Sequence, residues 1–317
     1  MASRLVEMEL KQAGNVRVEI NEQESELLRE GSHVLDFLAG TGRGDLERRV
    51  VINHVCNCLY ADILHFTYEG LRALEKRKFT VAFALLRKPM KEGILMAAQM
   101  CSDEDDFFRK LKFNPKSLLD NKELGKEKIV RIITSALEKC KFDLAQSEVI
   151  YDLLFERGRD DGLAPLFDKA THFITGYTKI RTEDYNINFI FKDPFDNDVY
   201  RGSSYPIIGI ALMLLNVMQL ELCARMGEID QKRRNWLMIS SLGAYQALFI
   251  GGRPKLLGLM NSVLKEFLQC PNCGQSLRIL KQDAPRFFIG ELVECSHCRS
   301  WHHFPLAWLL SKVDFEL

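Results

Sequence analysis

Four cysteines near the C-terminus have the spacing of a metal site. Cys270 and Cys273 form one Cys-x-x-Cys pair, Cys295 and Cys298 form a second, and 21 residues separate the two pairs. Each pair can present two thiolates to one ion, a pattern typical of structural zinc ribbons. Because four thiolates complete a tetrahedral coordination sphere, we predict one structural Zn²⁺ with no open position for a catalytic water.

The segment between the two pairs must hold them in position. Residues 276–280 and 287–293 have strand-like composition and flank a turn at 283–285, so we predict a β-hairpin there. Gly274, directly after the first pair, suits a tight turn that aims backbone N–H groups at sulfur. Three histidines are predicted to lie behind the ligands or on the surface, with replacement of one cysteine ligand as the alternative: His297, His302 and His303.

Basic and aromatic side chains are interleaved around these cysteines. Such a mixture suits base stacking and phosphate contact, which makes RNA or DNA a candidate partner. The residues are Arg278, Lys281, Arg286, Arg299, Phe287, Phe288, Trp301 and Phe304. The alternative is that Trp301, Phe304 and Trp308 pack the ribbon onto the rest of the chain, since a ribbon alone has little core.

Composition limits the range of partners. The 317 residues contain 43 Lys plus Arg and 43 Asp plus Glu, so no global positive field attracts nucleic acid or membrane, and any such contact must be local. The first residues show no apolar signal-peptide core, and the nine cysteines are too scattered for a disulfide framework. We therefore expect a cytoplasmic protein that makes no membrane contact, with a protein partner at the ribbon as the alternative to nucleic acid.

A long helix is predicted over residues 45–75, with Asp45 as its N-cap. Its apolar face is predicted to contain Ile52, Val55, Leu59, Ile63, Phe66 and Leu74. The opposite face carries Glu47, His54, Cys58, Asp62, His65, Glu69 and Arg72, and Cys56 points away from it. Four residues of that face have spacing for a second metal site, but a solvated face is the preferred interpretation: His54, Cys58, Asp62 and His65.

A second helix is predicted over residues 80–100, and Pro89 must break or kink it because proline lacks the N–H that would bond to Leu85. The kink is expected to change the direction in which the side chains of Lys88, Lys91 and Glu92 point. Ser102 is the predicted N-cap of the next helix, whose first turn carries the acidic residues 103–106.

The rest of the chain is predicted to be mainly helical up to residue 270. Helices are expected at 124–140, 146–157, 164–175, 206–226, 230–249 and 254–269, with a turn at 157–162, a loop at 193–205 and either a strand or a loop at 16–20. Pro206 is placed in the first turn of an apolar helix that crosses the core. The predicted fold class is mainly α, a multi-helix bundle with a small C-terminal β zinc ribbon. The predicted parts are an N-terminal segment (1–44), a helical bundle domain (45–226), a helical extension (227–269) and the zinc ribbon (270–317).

Two short motifs in the helical part resemble a known family. Residues 79–92 read Phe-Thr-Val-Ala-Phe-Ala-Leu-Leu-Arg-Lys-Pro-Met-Lys-Glu, similar to the Leu-Leu-Arg-x-x-x-x-Glu helix of uncharacterised bacterial families with a HEPN-like fold. Lys169-Ala-Thr-His172 resembles their later histidine-containing segment. The resemblance covers residues 45–226 and implies a helical bundle, a homodimer and a role in bacterial antiviral defence or stress.

Active ribonucleases of that type place an arginine shortly before a histidine, so that imidazole moves the 2′-OH proton and guanidinium stabilises the phosphate. His172 has no arginine at that distance, whereas Arg49 and His54 do but lie about 140° apart on one helix. Arg87 is the fourth weak candidate, with a structural ion pair to Glu92 as its preferred role. We therefore favour a protein that docks its partner through the ribbon, with a metal-independent ribonuclease as the alternative.

Overall fold

The computed structural model describes residues 19–29, 31, 33–120, 124–143, 145–188, 194–227, 229–310 and 312. Within these residues the chain is mainly helical, with a small two-stranded sheet near the C-terminus. This confirms the predicted mainly α fold class with a C-terminal β element. Three residues of the strand or loop considered at 16–20, residues 16–18, lie outside the described part of the chain.

The helices up to residue 113 are α1 (Glu22–Arg29), α2 (Val34–Gly40), α3 (Gly44–Glu75), α4 (Phe79–Arg87), α5 (Ile94–Ser102) and α6 (Glu104–Phe113). A π-turn (Lys88–Gly93) joins α4 to α5, and a 3-10 turn (Pro115–Leu118) follows α6.

The helices after residue 125 are α7 (Lys126–Lys139), α8 (Ser147–Leu154), α9 (Leu163–Thr171), α10 (Pro194–Arg225), α11 (Gln231–Phe249), α12 (Lys255–Val263), α13 (Ala284–Gly290) and α14 (Leu306–Leu310). A 3-10 turn (Thr178–Ile180) precedes α10. The strands are β1 (Leu292–Glu294) and β2 (Trp301–His303), which pair antiparallel.

Helix α3 begins at Gly44, and its N-cap Arg43 makes no side-chain cap, so Asp45 lies in the first turn instead of capping it. The buried face is rotated from the predicted one. Ile52, Ile63 and Leu74 are buried as expected, but Val55, Leu59 and Phe66 are only partly covered. Cys56 and Tyr60, which the prediction left out of this face, are also buried, and the Tyr60 hydroxyl donates to the carbonyl of Leu215 in α10 at 3.3 Å. This contact ties the two longest helices together across the core.

Most of the predicted polar face of α3 faces solvent. His54, Cys58, His65, Glu69 and Arg72 are exposed. Glu47 is the exception: it is buried, and its carboxylate pairs with Lys112 of α6 at 2.7 Å. A carboxylate can be buried there because a cation compensates its charge.

Pro89 interrupts the second predicted helix. The chain passes from α4 into the π-turn and back into α5, so the break falls where proline removes a backbone donor. Pro89 itself is buried. The next helix is capped by Asp103, whose side chain accepts from the N–H of Asp106, and Ser102 is the last residue of α5. The predicted cap was therefore one residue early, although the acidic first turn is confirmed.

The predicted loop at 193–205 is wrong over its described residues, because α10 begins at Pro194 and carries Pro206 in its interior. Packing outweighs the local turn preferences of this segment. Tyr200 lies 5.6 Å from the ring of Phe79 and 6.3 Å from that of Phe83, and Ser204 is fully buried. Those contacts anchor the first half of α10 on α4.

Helix α10 contains a segment, Asp198–Arg225, that is long and apolar enough to cross a membrane. In its most apolar window, 67% of the residues are buried by the rest of the chain. That is the arrangement of a core helix, as the sequence predicted for residues 206–226.

Two hydrophobic clusters meet within α11. The first runs from Ile52 to Met238 and fills the bundle, and the second runs from Ile239 to Leu310 and joins α11, α12, α13 and the cysteine-bearing segment. Gly243 of α11 lies against Phe288 of α13, where an added Cβ would fall 2.5 Å from the ring. The absence of a side chain at Gly243 therefore permits the close approach of α13.

We expect Gly243→Ala to lower the free energy of unfolding by about 1 to 3 kcal/mol, because the buried Phe288 ring must move to admit the methyl group. Denaturant unfolding followed by circular dichroism measures the effect. Gly258→Ala in α12 is the matched control, since its new Cβ meets the nearest atom at an ordinary 3.7 Å. It should stabilise the chain by up to about 1 kcal/mol through helix propensity. Equal effects of the two substitutions would contradict this interpretation.

Candidate metal centre

The four predicted cysteine ligands converge. The sulfur atoms of Cys270, Cys273, Cys295 and Cys298 all lie within 4.8 Å of one another. Sγ of Cys270 is 3.6 Å from that of Cys298, and Sγ of Cys273 is 3.7 Å from that of Cys295. A tetrahedral four-thiolate site with metal–sulfur bonds of about 2.3 Å has sulfur–sulfur edges of about 3.8 Å. The donor set therefore fits one metal ion in both chemistry and size.

Both cysteine pairs sit in the same kind of turn. The N–H of Cys270 donates to the carbonyl of Gln275 at 2.8 Å, and that of Cys295 donates to the carbonyl of Ser300 at 2.9 Å. The residue after each pair donates back to the first cysteine's carbonyl, Gly274 at 2.8 Å and Arg299 at 2.9 Å. Gly274 and Arg299 have φ values of 69° and 59°. Gly274 thus has the role predicted for it, and Arg299 takes the equivalent left-handed position without being glycine.

The hairpin predicted between the cysteine pairs is wrong, because residues 284–290 form α13. Pro285 stands at the start of this helix, where its missing N–H costs nothing. The short antiparallel pairings instead enclose each cysteine pair: Gln269 bridges Ser276 around the first, and Glu294 pairs with Trp301 around the second. Composition alone favoured a strand at 287–293, but contact with α11 determines its conformation.

Ser300 and His302 lie directly behind the sulfur cluster. The Ser300 hydroxyl is 2.9 Å from Sγ of Cys298 and 2.7 Å from Nε2 of His302. Nε2 of His302 is also 3.2 Å from Sγ of Cys270. Groups that hydrogen-bond to metal ligands orient them and tune their basicity. His302 therefore has the supporting position predicted for it, while the sequence reasoning missed Ser300, which alternation along β2 could have placed on the same side.

The polypeptide around the sulfurs also shifts their proton affinity. Burial raises the pKa of the Cys270 thiol, but the backbone N–H groups of Cys273 and Asn272 outweigh it and lower that pKa to about 5. The backbone N–H of Gln275 lowers the pKa of the Cys273 thiol, whereas burial and the neighbouring thiols raise it to about 12. Closely spaced sulfurs cannot all ionise without a cation between them. A bound metal ion would supply that charge.

The four catalytic candidates have separate surroundings in the structure. Arg49 donates to the carbonyl of Arg225 at 3.2 Å, and His54 is exposed with Nε2 3.6 Å from Sγ of Cys58. His172 is the exposed C-cap of α9. Arg87 pairs with Glu92 at 2.8 Å, as predicted. No hydrogen bond in the described part of the chain joins any two of the four candidates.

Among the described residues, the four-cysteine cluster is the one group of His, Cys, Asp and Glu whose ligand atoms converge. The stripe on α3 is a solvated face, as preferred, and Asp62 pairs with Lys88 of the π-turn. No family model, curated protein or solved structure matches this chain. The HEPN-like resemblance therefore stays a prediction, and the chain's function has to be inferred from its own geometry.

The basic residues predicted around the cysteines are exposed: Arg278, Lys281, Arg286 and Arg299. Trp301 and Trp308 are 44% and 60% exposed, so neither follows the packing interpretation, whereas Phe304 is partly buried against the second core. Phe287 and Phe288 are completely buried and cannot form part of a binding surface. These two phenylalanines attach the cysteine-bearing segment to the bundle.

We expect the purified chain to carry one metal ion, and Cys273→Ser to lose it, because removing one thiolate opens the coordination sphere. Elemental analysis of protein washed free of loose metal gives the stoichiometry. Cys58→Ser is the matched control and should retain the ion, since Cys58 is an exposed cysteine on α3, outside the cluster.

His302→Ala should also retain one ion while weakening affinity for the metal by about 10- to 100-fold. Complete loss in His302→Ala would show instead that the imidazole is a ligand.

Proposed function

We propose that the four cysteines bind one structural Zn²⁺ and that the ribbon docks a single-stranded nucleic acid through the exposed face of the β1–β2 hairpin. Zinc is the metal that a closed tetrahedral set of four thiolates favours. The observation that supports docking is the exposed ring of Trp301. Trp301 lies on β2, next to His302, and Arg286 of α13 lies beside its ring. Trp301 thus neighbours, on one short strand, the histidine whose Nε2 lies 3.2 Å from Sγ of Cys270.

The hairpin face follows from strand alternation. Side chains of successive strand residues point to opposite sides. Val293 and His302 are opposite each other in the pairing register and face inward, toward the core and the sulfurs. The outward residues of the two strands make up what we call the hairpin face: Leu292, Glu294, Trp301 and His303.

Trp301 provides the stacking surface of this face. The guanidinium carbon of Arg286 lies 5.3 Å from the centre of its ring, and both side chains are exposed. A nucleobase stacks on an exposed indole, and an adjacent guanidinium can contact its phosphate. Bases are accessible in this way in single strands, because in a duplex they already stack on their neighbours.

The charge of the hairpin face is modest. Arg299 pairs with Glu294 at 3.3 Å and His303 contacts Glu291 at 3.2 Å, so Arg286 is the cation that most directly borders Trp301. Affinity on this surface would then come mainly from stacking. Each phosphate contact on a single strand contributes about −0.7 to the slope of log affinity against log salt. With Arg286 and Arg299 engaged, we expect a slope of about −1.4.

We expect Trp301→Ala to weaken binding of a labelled single-stranded oligonucleotide about tenfold, since the loss of one base–indole stack costs about 1 to 3 kcal/mol. Fluorescence anisotropy with RNA and with DNA, at low salt, measures the change. Trp308→Ala is the matched control because Trp308 is even more exposed but belongs to α14. Removing the metal with a chelator should reduce binding at least as much as Trp301→Ala. Equal losses of oligonucleotide affinity in the two tryptophan variants would contradict the assignment of binding to the hairpin face.

The same titration distinguishes the alternatives. Absence of binding to any oligonucleotide, with the metal in place, would point to a protein partner for the hairpin face. Cleavage of the RNA that disappears in His172→Ala or His54→Ala would favour the HEPN-type ribonuclease. Retention of intact RNA by the unmodified chain, lost in Trp301→Ala, would support docking.

A further inference from the structure

A cavity of about 500 Å³ opens beside the π-turn, far along the chain from the cysteines. Its walls come from the end of α4, the π-turn, α5, α7, the end of α8 and the segment after α9. This volume is within the range of pockets that bind small ligands. π-turns inside helices are frequent at functional sites, because the extra residue re-aims side chains.

Three cations line this cavity: Arg87, Lys91 and Arg157. Two are already compensated, since Arg87 pairs with Glu92 at 2.8 Å and Arg157 pairs with Asp168 at 3.0 Å. Glu156, the other carboxylate in the wall, accepts from the N–H of Gly158 at 2.9 Å. Within the described residues, Lys91 makes no ion pair.

The charged form of Lys91 is disfavoured by its surroundings. Its side chain is partly buried in the wall. Burial lowers the pKa of its ammonium group; Asp168 and Glu92 raise that pKa, whereas the guanidinium groups of Arg157 and Arg87 lower it. A partly buried cation without an ion pair is stabilised when an anion joins it. The carboxylates Glu92, Glu156 and Asp168 equal the three cations in number, so Lys91, which has no ion-pair partner in the described part of the chain, is the position in the wall where an anion would be stabilised.

Aromatic rings also line the cavity. Tyr151 and Phe155 stack on each other with ring centres 5.9 Å apart and planes tilted by 17°. Tyr177 borders the opening and is 46% exposed. An exposed ring at the mouth of a cationic cavity can stack on a flat heterocycle whose anionic group reaches inward.

We propose that this cavity binds a nucleoside monophosphate, with the phosphate at Lys91 and Arg157 and the base against Tyr177. A single phosphate matches Lys91, the wall cation without an ion pair in the described part of the chain, and the half-exposed Arg157 beside Asp168 can donate a second contact. The site is separate from the hairpin face, and neither depends on the other.

The test is isothermal titration of the full-length, metal-loaded chain with AMP, GMP, CMP and UMP, each separately, and with inorganic phosphate and adenosine as partial probes. At least one nucleotide should bind, and more tightly than either partial probe. Lys91→Met should weaken that binding more than tenfold and raise Tm by about 2 to 4 °C, because it removes a partly buried charge that has no ion pair. A merely structural lysine would lower Tm instead.

Two further variants complete the test. Tyr177→Ala, at a half-exposed position that the fold tolerates, should weaken nucleotide binding about tenfold through loss of stacking. Lys265→Met, at an exposed lysine beyond α12, should leave both binding and Tm unchanged. The proposal is overturned if no nucleotide binds, if phosphate or adenosine binds as tightly as the best nucleotide, or if Lys91→Met and Tyr177→Ala bind like the unmodified chain.

Discussion

Pro89 has no N–H to donate to the preceding turn, and the centre of the bundle is organised around that missing hydrogen bond. The chain accommodates it with a π-turn, which brings Gly93 against Ile63 of α3, where an added Cβ would fall 2.9 Å from the Ile63 side chain. The same turn directs Lys88 outward to Asp62 and Lys91 into the cavity. The π-turn at Pro89 thus contains both the glycine that packs on α3 and the lysine that lines the cavity.

The sequence predicted correctly those features that depend on a few neighbouring residues. The double Cys-x-x-Cys spacing identified the converging sulfurs, and Pro89 identified the break, because each depends on a few neighbouring residues. The start of α10 and the conformation of 287–293 were predicted wrongly, since Tyr200 packing on Phe79 and Phe288 packing on Gly243 override composition. The cavity could not be predicted from the sequence for a further reason. Its cations come from segments some 70 residues apart in sequence.

The two cysteine turns show how little regular structure such a site requires. Each of β1 and β2 has three residues, and the first turn is closed by a single bridge. The left-handed conformation of Arg299 costs of order 1 kcal/mol that Gly274 avoids. Both turns nevertheless adopt the same hydrogen bonds. Coordination of four sulfurs by one ion would offset this strain and the short pairing.

Helix α11 is apolar on two sides. Met238, Leu242 and Tyr245 face the first core, while Ile239, Ala244 and Ala247 face the second, so the same helix is a wall of both. The ribbon is consequently not suspended on a flexible tether. The second core holds the hairpin face in one orientation toward the helices. Any ligand of the bundle would therefore lie at a set distance and angle from the hairpin face.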